Sequence, residues 1–199
     1  MNTPESSSRP IDAMLVIPIG IALNLALGAV VHILKLPIFL DAIGTIVVTL
    51  LAGVRAGIIT GVGSFLLAGF LVNPAYPWFS GTQAAIAVFT YLVARIGGYR
   101  TIPRRIGFGL LLGVVTGILS APIIVFLFGG ISGSGASLIA AYFMATGKKV
   151  VESVLLSGLA AEPLDKTLQT FLAYAILRGL PKDLLARFNR PILQKNGLL

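Results

Sequence analysis

Two stretches of this chain, 56–94 and 106–147, contain no Asp, Glu, Lys or Arg. Each exceeds the roughly 20 apolar residues that one membrane-spanning helix needs. Prolines, glycines and isolated charges divide the apolar sequence into segments. The pattern predicts a first helix over 13–34, interrupted at Lys35-Leu-Pro-Ile-Phe-Leu-Asp41, where Pro37 breaks it. A short second helix is expected over 41–52, with Asp41 as its N-cap. A tight turn at 53–57 leads into a third helix over 56–72. Two prolines and a glycine make 73–81 a loop. A fourth helix covers 82–96, a basic loop 97–105, and a fifth helix 106–128 with a kink expected at Pro122. Residues 129–135 form a Gly/Ser break, and 136–146 and 150–161 are short apolar segments. Pro163 suits the first turn of a last helix, with Glu162 and Asp165 at its positive end. Pro181 ends that helix. The expected organisation is a polar N-terminal tail over 1–12, a transmembrane bundle over 13–180 and a basic soluble tail over 181–199. The fold class is an all-α integral membrane protein of about six transmembrane helices.

Composition agrees with this class. Only 11% of the 199 residues are charged, against about a quarter in soluble domains. The net charge of +8 raises the question of nucleic acid, but its distribution has another explanation. With both termini on one side, that side holds Arg9, Arg55, Arg95, Arg100, Arg104, Arg105, Arg178, Lys182, Arg187, Arg190 and Lys195. The other holds Lys35, Lys148 and Lys149. Such an excess follows the positive-inside rule, so both termini are expected in the cytoplasm and the number of spans is even. The chain has no cysteine, which excludes disulfides and thiolate metal sites. Segment 1–10 lacks the basic start and cleavage site of a secretory signal, so the first span is expected to stay in the mature protein.

This orientation leaves 35–41, 73–81 and 129–149 facing outward, where a ligand from outside would be met. The loop Asn73-Pro-Ala-Tyr76-Pro-Trp78-Phe79-Ser-Gly-Thr82-Gln83 combines three aromatics with amide and hydroxyl groups. Aromatic faces stack on planar rings and amides read ring edges. An interfacial aromatic belt would use the same aromatics, but has no need of Asn73 or Gln83. Asp41, on the same face, is a ligand contact or simply a cap. Asn24, inside the first helix, needs a polar partner and reads as interhelical glue. Glu152, Glu162, Asp165 and Lys166 lie in or beside apolar sequence. Ionisable groups at membrane depth mark functional sites, although an internal carboxylate–lysine pair orienting the last helix would place them equally well. The candidate ligand-binding residues are Asp41, Asn73, Tyr76, Trp78, Phe79, Gln83, Glu152 and Lys166.

Small residues recur at four-residue spacing in Ala22/Ala26, Gly57/Gly61 and Gly109/Gly113/Gly117, which lets helices approach closely. Catalytic signatures are lacking. His32 is the only histidine, which rules out a metal site with several His ligands, and a Ser–His dyad with Ser134 or Ser157 has only counting in its favour. There is no phosphate-binding Gly-x-x-x-x-Gly-Lys-Ser/Thr loop. No catalytic residue, no metal and no cofactor is assigned to the chain, and it is not read as an enzyme.

In order and spacing the chain resembles the substrate-binding S-components of energy-coupling factor (ECF) vitamin transporters. The likeness rests on Ala22-x-x-x-Ala26 and on Leu36-Pro-Ile-Phe-Leu-Asp41-Ala-Ile-Gly44-Thr45. It rests also on a glycine-rich third helix before an Asn-Pro loop, and on Gly133-Ser-Gly-Ala followed by Glu162-Pro-Leu-Asp165-Lys166 before a helix ending at Arg178-Gly-Leu-Pro181. The resemblance implies an S-component-like bundle in a prokaryotic plasma membrane. Such a subunit captures a vitamin or vitamin precursor at the outer face. It docks through Ala22 and Ala26 on a transmembrane scaffold that carries two ATPase subunits, so that ATP is used by partners and not by this chain. The segment 35–40 would then be a gate, and the subunit would topple in the membrane to deliver its load. The aromatic loop favours a ring-containing ligand. A self-contained secondary transporter or channel is the alternative, although no inverted repeat is visible; a membrane-embedded enzyme is the other.

Overall fold

The computed structural model describes residues 10–188 and 190–199, with side chains from residue 14 onward except those of 189 and 190. The expectations for 1–9, Arg9 included, lie outside the described residues. Among these there is no strand; the order is α1 (Pro10–Ile33), α2 (Ile43–Ala52), α3 (Val54–Leu71), α4 (Ser80–Arg95), α5 (Ile102–Phe128), α6 (Ala136–Ala145), α7 (Val150–Gly179), α8 (Lys182–Leu185) and α9 (Arg190–Lys195), with a 3-10 turn at Tyr76–Phe79 between α3 and α4. Among the described residues three helices, Met14–Ile33 within α1, α3 and α5, are long and apolar enough to cross a membrane. Large side chains such as Phe70 and Phe126 project from them almost fully exposed. A surface of this kind belongs in lipid, and the protein is a helical membrane protein.

At the centre is α2. Residues Ile43–Leu51 are all buried, as expected of a helix that is apolar all round. It is enclosed by α1, α3, α4 and α7. Its ten residues span only about 15 Å, half the hydrocarbon thickness, so α2 ends within the bundle. Gly53, at φ 89°, turns the chain directly into α3.

The longest pair, α5 and α7, packs through the glycine stripe of α5. Gly109, Gly113 and Gly117 face Thr167, Pro163 and Gly158, and a Cβ on Gly113 would run into the backbone of Pro163. This contact corrects the expectation for Pro163. The proline lies inside a continuous 30-residue helix, and 150–161 belongs to that same helix. Membrane helices tolerate interior prolines where a neighbouring helix accommodates the altered backbone, and the smooth face of α5 does so.

Other boundaries also move. Asp41 does not cap α2; the N-cap is Ala42, with no side-chain bond. The fourth and fifth helices start earlier than expected, at Ser80 and Ile102. Arg105 falls in the first turns of α5, its guanidinium 4.0 Å from the centre of the Tyr174 ring. The largest correction concerns 181–199. Leu185, Phe188, Ile192, Leu193 and Leu198 are buried in the main core. Asn196 accepts a hydrogen bond from the Tyr99 amide at 2.9 Å and donates to the Ala94 carbonyl at 2.9 Å. The segment is a plug at one end of the bundle, because its apolar residues recur at spacings that a basic composition conceals.

Candidate functional site

At the opposite end the connecting segments meet. Lys35 Nζ donates to the Gly133 carbonyl at 3.1 Å, and Gly135 lies against the backbone of Leu36. Beneath them is a cavity of about 100 Å³. At about 10–15 Å³ per water, this is room for roughly seven to ten waters or one small ring compound.

Asp165 on α7 organises the roof. Its Oδ1 accepts the amides of Phe39 and Leu40 at 2.9 and 3.0 Å. Its Oδ2 accepts from Lys166 Nζ and from Gln169 Nε2, each at 2.6 Å. Gln169 Oε1 in turn accepts the Ala42 amide at 2.8 Å. The segment between α1 and α2 thus hangs from one turn of α7. The clamp holds it in an unusual shape: Lys35 and Leu40 have φ of 53° and 50°, left-handed values that cost a bulky residue about 1–3 kcal/mol and persist only where the surroundings impose them.

A second polar chain crosses the floor. Asn24 accepts the Gly44 amide at 2.7 Å and donates to Thr45 Oγ1 and Ser64 Oγ at 2.9 and 3.0 Å. Thr45 Oγ1 donates to Gln83 Oε1 at 2.9 Å, and Gln83 Nε2 reaches the Asp41 carbonyl at 3.4 Å. Asn24 is therefore interhelical glue joining α1, α2 and α3. Gln83 is a wall residue of the cavity whose amide positions Asp41.

The charged wall comes from α7 and from Asp41. Lys166 Nζ lies 2.6 Å from Asp165, 3.4 Å from Glu162 and 3.5 Å from Asp41. All four side chains are buried. Glu162 Oε2 also accepts from Thr116 Oγ1 at 2.8 Å, whereas Asp41 Oδ1 accepts no hydrogen bond. The aromatic wall holds Phe39, Phe65, Tyr76, Phe79 and His32. Tyr76 packs edge-on against Phe65 at 5.0 Å and against His32 at 6.2 Å. Ser132, Ser134 and Ser137 complete the roof, their hydroxyls 3.2–3.3 Å apart.

Of the sequence candidates, Asp41, Asn73, Tyr76, Phe79, Gln83 and Lys166 line this one cavity. Asn73 also folds its own turn, its Oδ1 accepting the Ala75 amide at 2.8 Å. Two candidates lie elsewhere. Trp78 is 60% exposed on the outside of the 3-10 turn; consecutive residues of a tight turn point in different directions, so Tyr76 and Phe79 face in and Trp78 faces out. Glu152 is exposed and paired with Lys148 at 2.6 Å, a surface ion pair of little energetic weight. Ala22 and Ala26 are exposed on α1, turned away from the inward face of Gly20, Asn24 and Gly28. The sequence reading missed Gln169, Thr116, Phe39 and Phe65, and treated His32 only as a metal or dyad residue. The spacing Glu162/Lys166 and Asp165/Gln169, two i,i+4 pairs inside an apolar helix, was a usable signal for the clamp.

Comparison with protein-family models, characterised proteins and solved structures finds no match to this chain.

Proposed function

We propose that the chain is the substrate-binding membrane subunit of an ECF-type importer. It captures a vitamin or vitamin precursor outside a prokaryotic cell and passes it to a separate scaffold and two ATPases. The observation that carries this reading is the cavity: a small polar and aromatic chamber at one end of a lipid-facing bundle, roofed by a segment that one buried carboxylate clamps. A chamber closed on one side suits capture and holding better than conduction. In this reading 35–40 is the gate, and release of Asp165 from the Phe39 and Leu40 amides opens it. The basic end, with the C-terminal plug, is cytoplasmic. The bundle's six segments are α1, α2, α3, α4, α5 and α7, of which α2 crosses only part of the bilayer, and α6 belongs to the outer roof.

Further support comes from the outer face of α1. Ala22 and Ala26 are small, exposed and one turn apart, so a partner helix could approach closely there. The test is Ala26→Trp, with ligand affinity and cellular uptake measured on the same variant. Uptake should be lost and affinity retained. Normal uptake with full partner association would sink the docking surface. The buried charges of α7 favour one rival, a self-contained secondary transporter, since such groups also form proton relays. Uptake by the purified chain in vesicles, without any ATPase, would decide for that rival.

A further inference from the structure

We infer that the cavity selects a single-ring organic cation: a planar ring bearing a protonated amine, an amidinium or a protonated ring nitrogen. This deepens the proposed function and rests on reading the cavity as its substrate site.

Three observations lead there. The first is the count of charges. One ammonium, Lys166, meets three carboxylates, and its shortest contact is with Asp165. Asp165 is itself consumed by the clamp, where it accepts four hydrogen bonds. Asp41 and Glu162 are left facing the chamber with more negative charge than Lys166 can balance. Lys35, in the roof, is directed to the Gly133 carbonyl. The second observation is Asp41 itself. It is only 7% exposed and lines the chamber; its Oδ1 accepts no hydrogen bond and faces the Lys166 ammonium at 3.5 Å. Buried carboxylate oxygens are ordinarily satisfied; a 3.5 Å contact to an ammonium shared with two other carboxylates leaves room for a donor on a bound molecule to complete it. The third is the opposite wall. Tyr76, Phe79, Phe39 and Phe65 present aromatic surface, which attracts both planar rings and cations.

Size and geometry narrow the class further. About 100 Å³ suits one ring with a small substituent. A phosphate or carboxylate would meet Asp41 and Glu162 as like charges. A metal ion is disfavoured because the ammonium of Lys166 already occupies the centre of the carboxylates. No metal-holding group of side chains is found among the described residues.

Benzamidinium, benzamide and benzoate test the inference, because they share one planar shape and carry charges of +1, 0 and −1. Binding of each to the purified full-length protein in detergent is measured by calorimetry. Benzamidinium should bind about tenfold or more tightly than benzamide, with benzoate weakest. In Asp41→Asn the preference for benzamidinium over benzamide should shrink to within about threefold. Glu162→Gln should act in the same direction and serves where Asp41→Asn does not fold. Equal affinity for benzamidinium and benzamide would mean that protons neutralise the carboxylates, and would overturn the inference. So would tightest binding of benzoate, no binding of any of the three to folded protein, or an unchanged preference in the folded variants. The importer reading fails separately. Cation selectivity combined with ATPase-independent uptake overturns the importer and keeps the cation, whereas benzamide or benzoate preference combined with ATPase-dependent uptake does the reverse.

Discussion

The bundle buries a polar network at each of its ends, and the two are built differently. At the end that holds the C-terminus, Asn196 is fully buried and its carboxamide bonds backbone groups only: the Tyr99 amide and the carbonyls of Ala94 and Ile192. Burial pushes the Tyr99 phenol up to about 12, so the ring stays neutral in this setting. Every partner of the Asn196 carboxamide belongs to the backbone, and the nearby charge of Arg105 is spread over the Tyr174 ring at 4.0 Å. At the cavity end, four ionisable side chains crowd together with one cation among them, and Asp41 Oδ1 is left without a hydrogen bond. A buried network that is saturated by backbone is a fastening. One that is charged and incomplete, and opens on a cavity, is a place for something else to bind.

Removing each network's central residue separates the two roles. Asp165→Ala should have the largest effect, because it deprives Lys166, Gln169 and the amides of Phe39 and Leu40 together. Breaking a buried pair of this kind costs about 3–5 kcal/mol, so the variant should melt far below wild type and its ligand binding should vanish with the roof. A melting temperature close to wild type would mean that the roof is held by something other than the clamp. Asn196→Ala should cost about 1–3 kcal/mol through the buried groups it abandons. It should lower the melting temperature while ligand affinity in the folded protein stays the same. A large loss of affinity there would join the two ends into one functional unit and dissolve the contrast. The smallest effects sharpen the cavity itself. Tyr76→Ala should weaken binding roughly 5- to 10-fold, measured by calorimetry, whereas Trp78→Ala, on the outside of the same turn, should change it less than about twofold. Equal losses in both would return the turn to the role of an interfacial belt.

Parts of this were legible in the residues alone. The uncharged stretches revealed a helical membrane protein, because apolar length is a local property. Asp41, Tyr76, Phe79, Gln83 and Lys166 stood out as polar or aromatic groups in apolar company, and the cavity brings them together. Trp78 and Glu152 met the same criterion and fall outside it, since composition does not reveal which way a turn or an exposed helix end points. Pro163 was read as a helix start because a proline's local preference is for a first turn. The contact that lets α7 continue lies on α5, at Gly113.

Hydrophobic length and the one-sided spread of Arg and Lys are sums over the chain, so the lipid setting, the helical class and the basic end of the bundle can be read from residue order alone. The roles of individual polar residues were decided only by the tertiary structure. Asp165 and the Phe39 amide that it holds are 126 residues apart, and Asn196 reaches Ala94 across 102. A buried carboxylate and a buried carboxamide have the same need in any sequence, a partner in place of water. Whether the protein supplies close hydrogen bonds, as around Asn196, or only a shared ammonium at 3.5 Å, as at Asp41, depends on what the fold sets beside it.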